Sequence, residues 1–143
     1  MKITVVAEIG SNWEGNIIKA KKIIRECKKS GADAVKFQMW RANDLYDTKH
    51  SSWKVIKKSE LTFNQASIMK KFADKIKIDF FCSVFFPEAV DFLESINVKR
   101  YKIASRTCLL KDPFALETLK KKASTNSICL LSTVKFFAVM IIL

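Results

Sequence analysis

The sequence predicts an α/β fold built on a parallel sheet. Three observations carry that expectation. Short β-branched and aromatic runs alternate with segments of helical periodicity, five strands are interleaved with four helices, and most connections are a few residues long. Parallel neighbours cannot be joined by a hairpin, and the amphipathic segments supply the crossovers they need. Both an open doubly wound sheet and a (β/α)8 barrel are built this way. Dinucleotide binding is not supported, because Gly10 and Gly15 do not make G-x-G-x-x-G.

Residues 3–9 are a β-branched run that predicts the first strand, closed by the polar, glycine-bearing GSNWEGN. Over 17–29, Ile17, Ala20, Ile23, Ile24 and Cys27 share one face and lysines the other, which predicts a helix with Gly31 as its C-cap. ADAVKFQ (32–38) is the second strand, 63–76 a helix and IDFFCSVF (78–85) the third strand. A helix over 87–96 follows, whose first-turn Pro87 forfeits no hydrogen bond. RYKIAS (100–105) predicts the fourth strand and 112–122 a helix with Asp112 as N-cap before Pro113, leading into SICLLST (127–133) as the fifth strand. The one long connection, 39–62, is polar and aromatic with Asn43, Asp44 and Asp47 as turn formers, and a long loop among short ones points to function.

At 143 residues the chain has room for one domain with a real core. Its 49% hydrophobic and 28% charged residues are those of a globular protein rather than a disordered one. A formal net charge of +12 rests on 22 Lys and only four Arg. The lysines fall in short helical clusters (Lys19, Lys21, Lys22; Lys57, Lys58; Lys70, Lys71; Lys120, Lys121, Lys122) that read as solvated outer faces. Nucleic-acid binding is not expected, since arginines and aromatics do not interleave on one surface. Cys27, Cys82, Cys108 and Cys129 are widely spaced and His50 is the only histidine, which excludes a zinc site of the usual spacing and argues against a disulfide framework. The opening MKITVVAEIG is too short and too acidic for a secretory leader, so the expected location is cytoplasmic. The apolar tail is too short and too interrupted to span a bilayer, and no membrane partner is expected.

Polar residues inside a parallel sheet are costly, and here they gather at the strand ends. Glu8 closes the first strand, Lys36 and Gln38 the second, Ser83 the third, Lys102 and Ser105 the fourth, Ser132 and Thr133 the fifth. In barrels the C-terminal strand ends carry the active site. Two lysines and several hydroxyls meeting there describe a basic, hydrogen-bonding pocket for phosphate plus carboxylate, with Glu8 as the nearby acid. Each residue has a plainer role beside this one. Glu8 would serve as an ion-pair partner for Lys36, Ser132 and Thr133 as satisfied strand-end hydroxyls, and Cys82 and Cys129 as small core residues.

AEIGSNWEG (7–15), GADAVKFQ (31–38), DFFCSVFFPEAVDFLES (79–95) and YKIAS (101–105) resemble, in that order, the N-acetylneuraminate (sialic acid) synthase family, which includes legionaminate-type and spore-coat polysaccharide synthases. The resemblance runs over residues 3–133 and implies the N-terminal part of a (β/α)8 TIM barrel, an incomplete one of about five βα units. It implies condensation of phosphoenolpyruvate with an N-acylated sugar such as N-acetylmannosamine, with release of phosphate. By the same resemblance Lys36, Ser83, Lys102, Ser105 and Ser132 match positions that hold phosphoenolpyruvate, and Glu8 and Gln38 match positions near the acceptor sugar and a divalent metal, Mn2+ or Mg2+. Glu8, Lys36 and Lys102 are the catalytic candidates. Three places depart from the common pattern: Trp13 and Glu14 for His and Asn, Ser83, Val84 and Phe86 for Thr, Pro and Asp, and Arg106 and Thr107 for Gly and an acid. They point to a different acceptor.

After Thr133 the similarity stops, and residues 134–143 form an apolar tail with no turn residue. The expectation is an out-of-frame or prematurely ended synthase, missing the family's metal-binding histidines, binding no metal itself and inactive alone. A separately made second half, or a homodimer as in the relatives, would be its protein partner. A phosphate- or phosphoenolpyruvate-binding module without turnover is the alternative.

Overall fold

Strands that follow one another in the chain also lie side by side. The computed structural model describes residues 3–125 in full and the backbone of 128–131. β1 (Val6–Gly10), β2 (Ala34–Met39), β3 (Asp79–Val84), β4 (Arg100–Ile103) and β5 (Ile128–Leu131) form one sheet in the order β1-β2-β3-β4-β5, with every pair parallel. The helices are α1 (Ile17–Lys29), α2 (Ala42–Leu45), α3 (Trp53–Lys58), α4 (Phe63–Lys75), α5 (Pro87–Ser95), α6 (Ser105–Cys108) and α7 (Ala115–Ala123). Sequential order leaves no point at which the strand order reverses, so the doubly wound alternative is excluded and the sheet is the wall of a barrel. Among the described residues β1 pairs only with β2 and β5 only with β4, so that wall is open.

Alternation along each strand sends every second side chain into the core with the helices. Ala7, Ile9, Val35, Phe37, Met39, Phe80, Cys82, Val84, Tyr101 and Ile103 are all buried, in one cluster with Ala20 and Ile24 of α1, Ala66 and Met69 of α4, and Val90 and Leu93 of α5. Helix ends follow local chemistry. The Asn16 carboxamide accepts from the Ile18 and Lys19 amides at 2.9 and 3.0 Å, capping α1, and Gly31 takes φ +84° just beyond its end. Thr62 and Gln65 close a reciprocal capping box on α4.

Several boundaries move for physical reasons. The first strand begins at Val6 rather than residue 3, because the Val5 amide is taken by the Asp33 carboxylate at 2.8 Å and Ile3 stands in solvent. The fourth strand ends at Ile103, and Ser105 opens α6 instead of closing the strand. Asp112 is not a helix cap: α7 starts at Ala115 with Phe114 as N-cap, and the Asp112 carboxylate is fully buried against Thr107 and Arg106. The 39–62 connection contains α2 and α3 and is therefore an ordered strap. The expected strand residues Ser132 and Thr133 and the tail 134–143 lie outside the described residues, as does the Cys129 side chain. No helix among the described residues is long and apolar enough to cross a membrane.

Candidate functional site

Register assembles the polar strand residues. Glu8 pairs with Lys36 and Lys36 with Phe81 in one row, while Gln38 pairs with Ser83 and Ser83 with Lys102 in the next. Paired residues share a face, so Glu8, Lys36, Gln38, Ser83 and Lys102 stand together on the side of the sheet away from the helical core. A bulge between Glu8 and Gly10 shifts the β1–β2 register, and Gly10 takes φ +55°, a conformation that favours glycine. A Cβ there would lie 3.5 Å from Gln38 Oε1 and 3.7 Å from Glu8 Oε1, so the missing side chain leaves that space to two polar groups.

Lys36 is the centre of the arrangement and is only 3% exposed. Its Nζ lies 2.5 Å from Glu8 Oε2 and donates to Ser83 Oγ at 3.0 Å. An ammonium has three donors, so one N–H remains without a protein partner among the described residues. Beside it, Glu8 Oε1 is buried and accepts no hydrogen bond among the described residues. Burial holds the Lys36 pKa below the ordinary lysine value, Glu8 pulls it back up, and the Lys102 ammonium adds to the lowering. An open cationic donor next to an open carboxylate acceptor suits a ligand with an anionic oxygen on one side and a hydroxyl on the other. The ion-pair role anticipated for Glu8 is therefore present on one carboxylate oxygen, Oε2, and the other, Oε1, carries no partner among the described residues. Cys82 is no nucleophile: burial pushes its thiol up to about 12.

Ser105 is exposed at the start of α6, and no side-chain bond joins it to Lys36 or Ser83. Ser132 lies outside the described residues. Two of the three places that depart from the common pattern turn out to hold core residues. Trp13 is fully buried, and Val84 and Phe86 are buried as well, with the Arg41 guanidinium 3.9 Å above the Phe86 ring. Glu14 turns outward to Lys19, 2.7 Å away, whose hydrogen bond lowers the carboxyl's pKa. Arg106 and Thr107 belong to a cluster that reading along the chain missed. Asp112 accepts from the Thr107 hydroxyl and pairs with Arg106, at the same end of the sheet as the site. Its only sequence signal was an unpaired acid six residues after an arginine, which a local capping rule claimed first. Asp112→Ala strands a buried hydroxyl and removes a charge-assisted bond, so a loss of about 2–3 kcal/mol is expected in urea unfolding.

The described residues do not make a divalent-cation site. Glu8 Oε1 is a single open carboxylate oxygen, no group of three His, Cys, Asp or Glu side chains comes together, and Lys36 would repel a cation there. His50 lies in the strap, where its Nδ1 accepts from the Ser52 amide and its ring meets Tyr46 edge-on. A separate cavity of about 240 Å3 between α1 and the outer edge of β1 touches the cluster only through Glu8 and is walled by Ala7, Ile9, Ile23 and Cys27.

Fold and cluster together define a segment of barrel wall with a buried Lys36–Glu8–Ser83 group at its strand ends. The chain belongs to the NeuB family, whose model matches residues 23–135. It is 31% identical over 119 residues to an N,N'-diacetyllegionaminic acid synthase of Legionella pneumophila, covering 73% of this chain and 33% of that protein. It is 34% identical over 114 residues to an N-acetylneuraminate-9-phosphate synthase of Mus musculus, covering 71% and 32%. The crystal structure of a sialic acid synthetase from Leptospira borgpetersenii superposes with a TM-score of 0.80 at 25% identity, over 92% of this chain and 44% of that one. The chain thus spans from about a third to somewhat under half of the length of these relatives.

Proposed function

We propose that this chain carries the phosphoenolpyruvate-holding part of a sialic-acid-type synthase site, and that by itself it binds that anion without turning it over. The observation that carries the reading is the buried Lys36 ammonium, fixed between Glu8 and Ser83 with one donor to spare and Lys102 close by. Phosphoenolpyruvate bears its phosphoryloxy group and its carboxylate on the same carbon, C2, and two adjacent cations in a partly dry site offset both.

In the complete reaction, C3 of the enol forms a bond to the aldehyde carbon of the open-chain N-acylated sugar, whose oxygen takes up a proton. Water adds to C2, and the C2–O bond to phosphate breaks with the electron pair leaving on phosphate. Lys36 and Lys102 hold the two anionic groups as charge shifts between them. Ser83 is held toward the same point by Lys36, and Glu8 Oε1 accepts from a sugar hydroxyl or from the attacking water. A divalent metal, if the complete site holds one, needs ligands beyond the described residues.

The test is binding and turnover measured side by side. Phosphoenolpyruvate should raise the melting temperature of the chain saturably, Lys36→Ala should abolish that shift, and no phosphate should be released with N-acetylmannosamine present. A shift unaffected by Lys36→Ala would place the ligand elsewhere, and phosphate release would show that the chain is a complete catalyst.

A further inference from the structure

The opposite end of the sheet carries a second cluster of cations. At the start of β3 and β4, a cavity of about 340 Å3 is lined by Lys70 and Asp74 of α4, by Lys77 just beyond it, by Asp79 of β3, by Asn97 and Lys99 before β4, and by Arg100 of β4. Four cations there face two carboxylates, and each carboxylate has its own partner. Lys70 Nζ stands 2.6 Å from Asp74 and Arg100 Nε 2.7 Å from Asp79. Lys77 and Lys99 have no ion pair or side-chain hydrogen bond among the described residues.

The Arg100–Asp79 ion pair matters most, because both side chains are about three-quarters covered and its closest approach is Nε to Asp79 Oδ2, without hydrogen-bond geometry. The two terminal nitrogens of the planar guanidinium have no hydrogen-bond partner among the described residues, and such a fork can grip two oxygens of one oxyanion. Lys77 and Asn97 add a further point. Both sit one residue past a helix C-cap with φ +57° and +58°, where glycine is the usual occupant. Asparagine tolerates that conformation, whereas lysine is strained in it. The Lys77 carbonyl is in turn held by Lys28 Nζ at 2.8 Å.

We infer that this cavity is an anion site for a phosphoryl group, either free phosphate or the terminal group of a phosphorylated small molecule, distinct from the cluster around Lys36. Arg100 grips two oxygens, Lys77 and Lys99 supply the remaining charge, and the Asn97 amide donates. Active sites of barrels lie at the other end of the strands, so occupancy here is separate from the chemistry and acts on it only through β3 and β4, the strands that carry Ser83 and Lys102.

The experiment is an amide chemical-shift titration of the full chain with inorganic phosphate, and separately with glycerol 3-phosphate, each against sodium chloride at matched ionic strength. Saturable movement of the Lys77, Asn97 and Lys99 amides is expected, with the tighter of the two probes identifying the source. The variant is Lys77→Gly with Lys99→Ser, chosen because glycine suits φ +57° and keeps the fold intact. Loss of two charged donors should weaken binding by about tenfold or more, while Lys36→Ala leaves these shifts unchanged. Movement that never saturates, that chloride reproduces, or that survives in the double variant would overturn the assignment. The phosphoenolpyruvate reading stands or falls separately on the Lys36→Ala melting shift.

Discussion

Glu8→Gln is expected to cost about 3 kcal/mol or more at neutral pH, and to regain much of it as the pH rises. The substitution removes the negative charge 2.5 Å from a nearly inaccessible ammonium and leaves it only neutral acceptors, Ser83 Oγ and the new carboxamide oxygen. Breaking a buried pair by deleting one member typically costs about 3–5 kcal/mol. The loss is capped, because Lys36 can give up its proton instead, at a cost of roughly 4–5 kcal/mol for an ordinary lysine held neutral at pH 7. The sign of the pH dependence follows. Burial already holds the Lys36 pKa below its unfolded value of 10.5, and without Glu8 it falls further. Between the folded and unfolded pKa values the unfolded chain binds the extra proton, so stability increases with pH through that window. The deficit of Glu8→Gln relative to the parent should therefore be largest at neutral pH and shrink toward pH 10. Urea unfolding followed by circular dichroism at several pH values measures it. A deficit that stays flat with pH, or is below about 0.5 kcal/mol, would mean the ammonium reaches water. The reverse substitution, Lys36→Met, should cost less, because the Glu8 side chain is 23% exposed and can be hydrated.

What was legible in the chain and what was not divides by the range of the interaction. The βα alternation, the lysine-faced helix of 17–29 and the proline opening α5 are local patterns, and the structure keeps them within a residue or two. The gathering of Glu8, Lys36, Gln38, Ser83 and Lys102 was also legible, since parallel register turns strand-end polarity into proximity. Asp112 shows where local reasoning fails. An acid before Pro113 has the form of a helix cap, yet the stronger claim on it comes from Thr107 and Arg106 across a loop. Trp13 is different again: it stands where the common pattern has His, among the changes that pointed to a different acceptor, and packing places its ring in the core. The strap was opaque for the same reason. α2 and α3 have weak periodicity, and the Glu60 carboxylate, which accepts from the Ala42 amide at 2.9 Å, holds its two ends together.

That strap is also fixed from below, which makes Gly15→Ala the substitution expected to do most damage outside the site. Gly15 lies in the turn between β1 and α1 at φ +70°. A Cβ there would come within 2.0 Å of the Lys58 carbonyl oxygen at the end of α3, and 2.9 Å of its carbon. No rotamer change relieves a clash with backbone, so either the turn or α3 must move. The turn is tied by the Asn12 amide to Ile9, by that of Glu14 to Ser11 and by that of Asn16 to Trp13, with the Trp13 ring fully buried. Moving it therefore disturbs the core, and moving α3 lifts the strap off the turn. Left-handed strain contributes about 1 kcal/mol and the displaced packing the rest, for a total of about 3–5 kcal/mol. Gly31→Ala is the matched comparison, because Gly31 has φ +84° but no atom within 4 Å of its would-be Cβ. It should show the strain alone, about 1 kcal/mol, when the two variants are unfolded thermally under the same conditions. Equal losses would mean that the close approach of Lys58 to Gly15 is absent in solution. A large difference, with faster amide exchange over residues 53–58 in Gly15→Ala only, would show that the turn after β1 holds the strap in place.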